Sequence, residues 1–297
     1  MSFRLYLQYS MLCFLIVSFI SPAFVSADEF TSSITVTTPQ VREHQAASNE
    51  APVAFNINYF KGYGTDLKSI VTSPVRWDTT DWITATLVSG AAIGLYENDV
   101  KIQKWVLDHK TTTTNNIGDT VTDFGHGKYT PVILGGMYLY GHVTADDKFG
   151  KTVLLSVESF VLTGVFVQTI KHAAHRHRPN TDDPPHTFDG PSFHSTSSNS
   201  SLPSGHASSA FAVASVIASE YDNFFVPPLA YSIAAITALN RVSHNAHWMS
   251  DIFVGSAIGY FTGKAVVASH RNNKKGDLDL TPIAGNGLTG MILTYSF

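Results

Sequence analysis

Cysteine is almost missing from this chain. The one cysteine among 297 residues is Cys13, inside an apolar N-terminal run. A mature chain without that run has no disulfide and no thiol chemistry. Charge is scarce too: Asp, Glu, Lys and Arg make up 14%, against about 25% in an average soluble protein. The net charge of −4 supplies no basic field and argues against a nucleic-acid partner. Strand patterning is confined to the tail, where Met291, Leu293, Tyr295 and Phe297 alternate with small or polar residues. There is no internal repeat.

An unbroken membrane span is also lacking. Such a helix needs about 20 mostly apolar residues. The stretch from Lys151 to Lys171 has the length but contains Glu158, and Phe224 to Leu239 contains Pro227 and Pro228. Ala207 to Ser219 and Ile252 to Gly263 are too short, and the mean hydropathy is only +0.05. The expectation is core helices of an exported globular protein, with a polytopic membrane enzyme as the alternative.

What is present begins at the N-terminus. Arg4, the apolar run Met11 to Ile20 and the small-residue site Val25-Ser26-Ala27 have the pattern of a secretory signal peptide. Cleavage leaves Asp28 first; the alternative is an uncleaved anchor. Residues 28–55 are polar, rich in Ser, Thr and Gln, and read as a flexible leader. A helical domain is expected over 56–275 and a short β-like tail over 276–297. Within the domain, Asp66 to Val71 predicts a short helix. Asp78 or Thr80 can cap a helix over Ile83 to Tyr96. Val100 to His109 predicts a separate surface helix, Thr111 to Asn116 a polar loop, and Ile117 to Phe124 and Pro131 to His142 two further helices. The longest candidate runs from Lys151 to Arg178. Pro203 to Tyr221, Phe225 to Asn240 and His247 to Arg271 complete a mainly α bundle.

Three motifs carry the chemistry. Lys171 lies seven residues before Arg178-Pro179. On a helix that is nearly two turns, so both cations point to one side, where an anion relieves their repulsion. Leu202-Pro203-Ser204-Gly205-His206 precedes an apolar run. Pro203 suits the start of a helix, whose N-terminus favours an anion, and Ser204 and Gly205 offer a hydroxyl and backbone N–H groups. Asn240-Arg241 is followed by His247 and Asp251. A helix starting near Asn245 puts His247 and Asp251 one turn apart, where a carboxylate can fix the ring tautomer.

Together these motifs resemble the three-part signature of the type 2 phosphatidic acid phosphatase (PAP2) and vanadium haloperoxidase superfamily, in its bacterial exported phosphatase branch. The resemblance covers Lys171 to Asp251, and it departs at Asn240, where the pattern has Ser. It implies a single helical bundle with the phosphate site at the ends of neighbouring helices. It implies His247 as nucleophile forming a phosphohistidine, Asp251 as its orienter, and His206 as acid and then base. Lys171, Arg178, Ser204, Gly205 and Arg241 hold the phosphate. No metal and no cofactor is expected: His172, His175, His177 and His244 cluster in sequence, but no carboxylate or cysteine stands beside them to complete a ligand set. The loop from Asn180 to Ser201 is expected to border the site mouth. The expected substrate is a phosphorylated lipid, such as phosphatidic acid or an isoprenyl pyrophosphate, or a small phosphomonoester, met at a membrane surface. The expected location is the periplasm. Rival readings are a vanadium-dependent haloperoxidase and a non-catalytic phosphate- or lipid-binding protein. The head group and the oligomeric state are not encoded in any motif.

Overall fold

A computed structural model describes residues 57–181, 183–194, 196–272, 278–285 and 288–295. The expected signal peptide and leader lie outside these residues. The described residues form eight α-helices: α1 (Ile57–Thr72), α2 (Thr79–His109), α3 (Thr112–Val121), α4 (Tyr129–Thr144), α5 (Asp147–Ala174), α6 (Gly205–Glu220), α7 (Val226–Ser243) and α8 (Met249–Asn272). Short 3₁₀ turns cover Ser73–Arg76 and Thr122–Gly125. The tail forms β1 (Leu278–Gly285) and β2 (Leu288–Tyr295), an antiparallel pair with Leu280 opposite Leu293. The expected tail strand is therefore half of a hairpin.

Several boundaries differ from the sequence expectation. The helices expected over 83–96 and 100–109 are one 31-residue helix, α2, because no Gly or Pro interrupts the intervening turn. Asp78 starts it with a reciprocal capping box, its side chain accepting from Asp81 N at 2.9 Å. The polar run 111–116 is helical rather than a loop. Thr111 and Thr114 cap each other there, so the threonines that look like turn residues open α3. The helix α5 stops at Ala174, short of Arg178, with His175 in the left-handed region at φ 43°. Thus the turn at His175, not Pro179, ends it.

The core lies where α5, α6 and α8 meet, around Leu155, Phe166, Ile170, Val216, Ile258 and Val266. The contact of α6 with α8 is unusually close. A Cβ on Gly255 would lie 2.6 Å from Ser204 O, and one on Gly259 would lie 2.1 Å from Ser208 O. The two backbones meet only because those positions lack side chains. This seam brings the N-terminus of α6, which carries His206, against the N-terminus of α8, which carries Asp251. Among the described residues, α5 and α8 are long and apolar enough to cross a membrane, yet more than half of each apolar stretch is buried inside the molecule.

Candidate active site

Each motif residue is delivered by a different device. Lys171 sits in the last turn of α5, buried, and its Nζ donates to Ser200 O. Arg178 is not on that helix. It lies on an extended segment held by Arg178 N to Ser198 O at 2.9 Å, with its Nη2 donating to Ser200 Oγ at 3.3 Å. The two cations therefore share a side because the chain turns at His175, not because of helical periodicity. Arg241 comes from the last turn of α7.

Ser204 caps α6, its Oγ accepting from Ala207 N at 3.5 Å. Pro203 stands just before that cap, after a cis peptide bond, and not in the first helical turn. The Ser204 N–H is taken by Asp251 O at 3.0 Å. Of the expected backbone donors, Ser204 is thus spent. The N–H groups of Gly205 and His206 precede the first intrahelical bond of α6, from Ser208 N to Ser204 O, and remain for an anion.

His247 precedes α8 instead of standing on it. Asn245, at φ 56°, turns the chain after α7. Gln103 of α2 grips that turn, donating to Val242 O at 2.9 Å and Asn245 Oδ1 at 2.7 Å. Trp248 Nε1 donates to His177 O at 3.0 Å. The expected hydrogen bond from His247 to Asp251 is replaced by another. His247 Nδ1 faces the backbone oxygen of Ser201 at 2.8 Å, which a protonated Nδ1 satisfies. Asp251 stands one layer behind. Its Oδ2 accepts from Ser201 Oγ at 2.5 Å and from Trp248 N at 3.0 Å, and its Oδ1 accepts from Arg176 Nη1 at 2.7 Å. Because His247 is not in the helix, the i, i+4 geometry expected for the pair does not exist.

Arg176 and Asp99 stand directly behind the site, and the motifs do not reveal them. Arg176 is 1% exposed and bridges Asp251 to Asp99 of α2, the latter at 2.8 Å. Tyr96, Trp248 and Phe188 surround its guanidinium, at 4.8, 5.5 and 5.6 Å. Ser250 N and Oγ both donate to Asp99. The sequence signal was a second arginine between Lys171 and Arg178, hidden in a run of histidines. His126 is also new to the site: its ring meets the His206 ring edge-on at 5.1 Å. Asn240 turns away from the centre. It donates to Asp119 of α3 at 3.2 Å, and Asp119 also pairs with His244 at 3.2 Å. The carboxylates judged missing from the histidine cluster do exist: His177 lies between Asp183 at 2.7 Å and Asp189 at 3.0 Å, and these pull its pKa upward against its desolvation.

The electrostatics are those of a site that favours an anion. Burial, with Arg241, His126, Arg178 and Lys171 nearby, pulls His206 down to about 3. Burial and the same cations hold His247 well below the usual histidine range. Burial and Arg178 bring Lys171 down to about 7. The Nε atoms of Arg178 and Arg241 are buried without a hydrogen-bond partner among the described residues. Unpaired guanidinium N–H groups beside a helix N-terminus are donors awaiting oxygens.

Comparison with known proteins agrees with this geometry. Residues 152–275 match the model of the PAP2 superfamily. That stretch is similar to the PAP2 superfamily and holds all three motifs. A lipid A 1-phosphatase of Porphyromonas gingivalis is 30% identical over 127 residues, which are 42% of this chain and 25% of that protein. The chain thus spans about a quarter of the curated relative it matches. Two crystal structures resemble the PAP2 domain more distantly. The Aquifex aeolicus LpxE structure aligns with a TM-score of 0.44 at 17% identity, over 57% of this chain and 94% of that one. A transmembrane PAP2 type phosphatidylglycerolphosphate phosphatase of Bacillus subtilis aligns with a TM-score of 0.40 at 18% identity, over 73% and 96%.

Proposed function

We propose that the protein is an exported phosphatase that hydrolyses phosphate monoesters or pyrophosphates of lipids through a phosphohistidine on His247. The observation that carries this reading is the convergence of Lys171, Arg178, Arg241 and the α6 N-terminus on His247 and His206, with two buried guanidinium N–H groups unpaired. With Nδ1 hydrogen-bonded to Ser201 O, the ring leaves the Nε2 lone pair free to attack phosphorus. The bond from phosphorus to the leaving oxygen breaks as the one to Nε2 forms, and His206 gives that oxygen a proton. His206 then takes a proton from the water that cleaves the phosphorus–nitrogen bond. An empty-site His206 is neutral. The bound phosphate dianion cancels the surrounding cations and raises its proton affinity, so the acid is formed where it is needed. Lys171, Arg178 and Arg241 spread the charge of the transferring group.

The PAP2 match and the similarity to a lipid A 1-phosphatase support a lipid phosphate as substrate. Large apolar side chains exposed along α4, among them Val132, Leu139 and Val143, suit work at a membrane surface. The signal-peptide pattern of residues 1–27 supports export to the periplasm, with 28–55 as leader, 56–275 as the catalytic domain and 276–297 as tail. The test is a panel of phosphorylated lipids and soluble phosphomonoesters given to the purified mature protein, with rapid-quench trapping of labelled enzyme. Phosphate release from the lipids with labelled His247 is expected. Binding without turnover across the whole panel rejects an enzyme.

A further inference from the structure

One buried polar cluster takes no part in this chemistry. Glu158, the carboxylate that interrupts the apolar stretch of α5, is 0% exposed. Asp66 of α1, 3% exposed, and His270 of α8 meet it. His270 Nε2 lies 2.9 Å from Glu158 Oε2 and 3.5 Å from Asp66 Oδ2. Ser269 Oγ donates to Asp66 Oδ1 at 2.5 Å, which fixes the oxygen turned toward His270. One donor atom from each of the three lies within 4.8 Å of the others. Carboxylate oxygens of the two acids lie within 4.8 Å of each other, and Glu158 Oε1 is buried with no partner among the described residues.

Two buried carboxylates in contact need a proton or a cation between them. A proton on His270 can supply that charge, and so can a metal ion held by the same three atoms. A four-coordinate zinc ion with bonds of about 2.0–2.1 Å sets neighbouring ligand atoms about 3.3–3.4 Å apart. The separations of 2.9 and 3.5 Å lie on either side of that value. One imidazole nitrogen with two carboxylates is a zinc-type set, and the Ser269 hydroxyl supplies the outer hydrogen bond that orients a ligand.

We propose that Asp66, Glu158 and His270 form a structural site for a divalent cation of the zinc class, which clamps α1 to α5 and α8. It is separate from the phosphate site. His270 lies roughly 28 Å beyond Asp251 along α8, at about 1.5 Å per residue.

The experiment uses the full mature protein, dialysed against chelator and then given zinc chloride alone. One zinc per chain retained through gel filtration is expected, with a Tm raised by several degrees and the rate of phosphate release at 25 °C unchanged. Glu158→Gln and His270→Gln should each lose both the retained zinc and the Tm response. Cobalt loaded into the wild type should give the visible absorption of a low-coordinate N/O site, absent from His270→Gln. A wild type that retains no zinc overturns the proposal. So does zinc retained equally by wild type and variants, which places it on the other histidines. Should the variants fail to fold, the wild-type cobalt spectrum and stoichiometry still decide.

Discussion

Arg176 and Asp251 form an ion pair of 2.7 Å, sealed from solvent, directly behind the histidine read as the nucleophile. The carboxylate thereby reaches His247 through Ser201, whose hydroxyl it holds and whose backbone oxygen faces the ring, and through the neighbouring Trp248 N–H. Asp251 and Arg176 are positioning residues in this arrangement. Four predictions follow from it and from the rest of the site.

Arg176→Met strands two buried carboxylates, Asp99 and Asp251. Breaking a buried pair by removing one partner costs about 3–5 kcal/mol, so a Tm lowered by more than 10 °C in thermal unfolding is expected. Arg176→Lys keeps the charge but cannot bridge both acids, and should fall in between. A Tm unchanged in both variants would show that the bridge holds nothing together.

His247→Ala should abolish both turnover and the phosphoenzyme for every substrate. His206→Ala removes the proton donor, a loss of about 10²–10⁴-fold that should grow with the basicity of the leaving group. With an activated ester it should accumulate phosphoenzyme, because the base for the second step is gone. Rapid-quench labelling of both variants reads this, and an acid-labile phosphoenzyme in His247→Ala reverses the assignment.

Lys171, pulled down to about 7, predicts opposite pH trends for activity and stability. As pH rises through about 7 the folded enzyme loses this cation, so kcat/KM falls. Between that value and the ordinary lysine value of about 10.4, the unfolded chain binds a proton that the folded chain does not. This contribution to stability therefore rises with pH across the same window. Lys171→Arg should erase the activity limb. A kcat/KM profile flat from pH 6 to 9 in the wild type contradicts it.

Gly259→Ala drives a methyl group into Ser208 O, a backbone atom 2.1 Å from the new Cβ. Overpacking costs about 1–3 kcal/mol, and here it also pushes α6 from α8. Both Tm and kcat should drop, whereas Gly164→Ala, mid-helix with open space around it, should leave kcat unchanged and raise Tm slightly, by the Ala-over-Gly helix propensity of about 1 kcal/mol or less.

The sequence made some of this legible for physical reasons. Lys171, Arg178, His206, Arg241 and His247 were legible through the resemblance of the three motifs, since no single spacing places them together. The bundle is legible in the helical periodicity of 131–142 and 205–220. Arg176 and Asp99 were not legible, because their pairing spans 77 positions and leaves no local period. The histidine–carboxylate geometry was misread because it assumed that α8 began before His247, while the left-handed Asn245 delays it to Met249. Asn240 was legible as a departure but not as a contact, since its partner Asp119 lies 121 positions away on another helix.

The Arg176 bridge also sets an order of events. Its two acids lie 77 residues earlier and 75 residues later in the chain, so neither contact forms until α2 and α8 have both docked. Contacts of such separation are made late, after the loop-closure cost has been met by local helices. A chain that has collapsed but not yet joined Asp99 to Asp251 has no seated Ser201 behind His247 and no reactive ring. In the proposed reaction the nucleophile is thus seated only by a long-range step of folding, one that joins residues 99, 176 and 251.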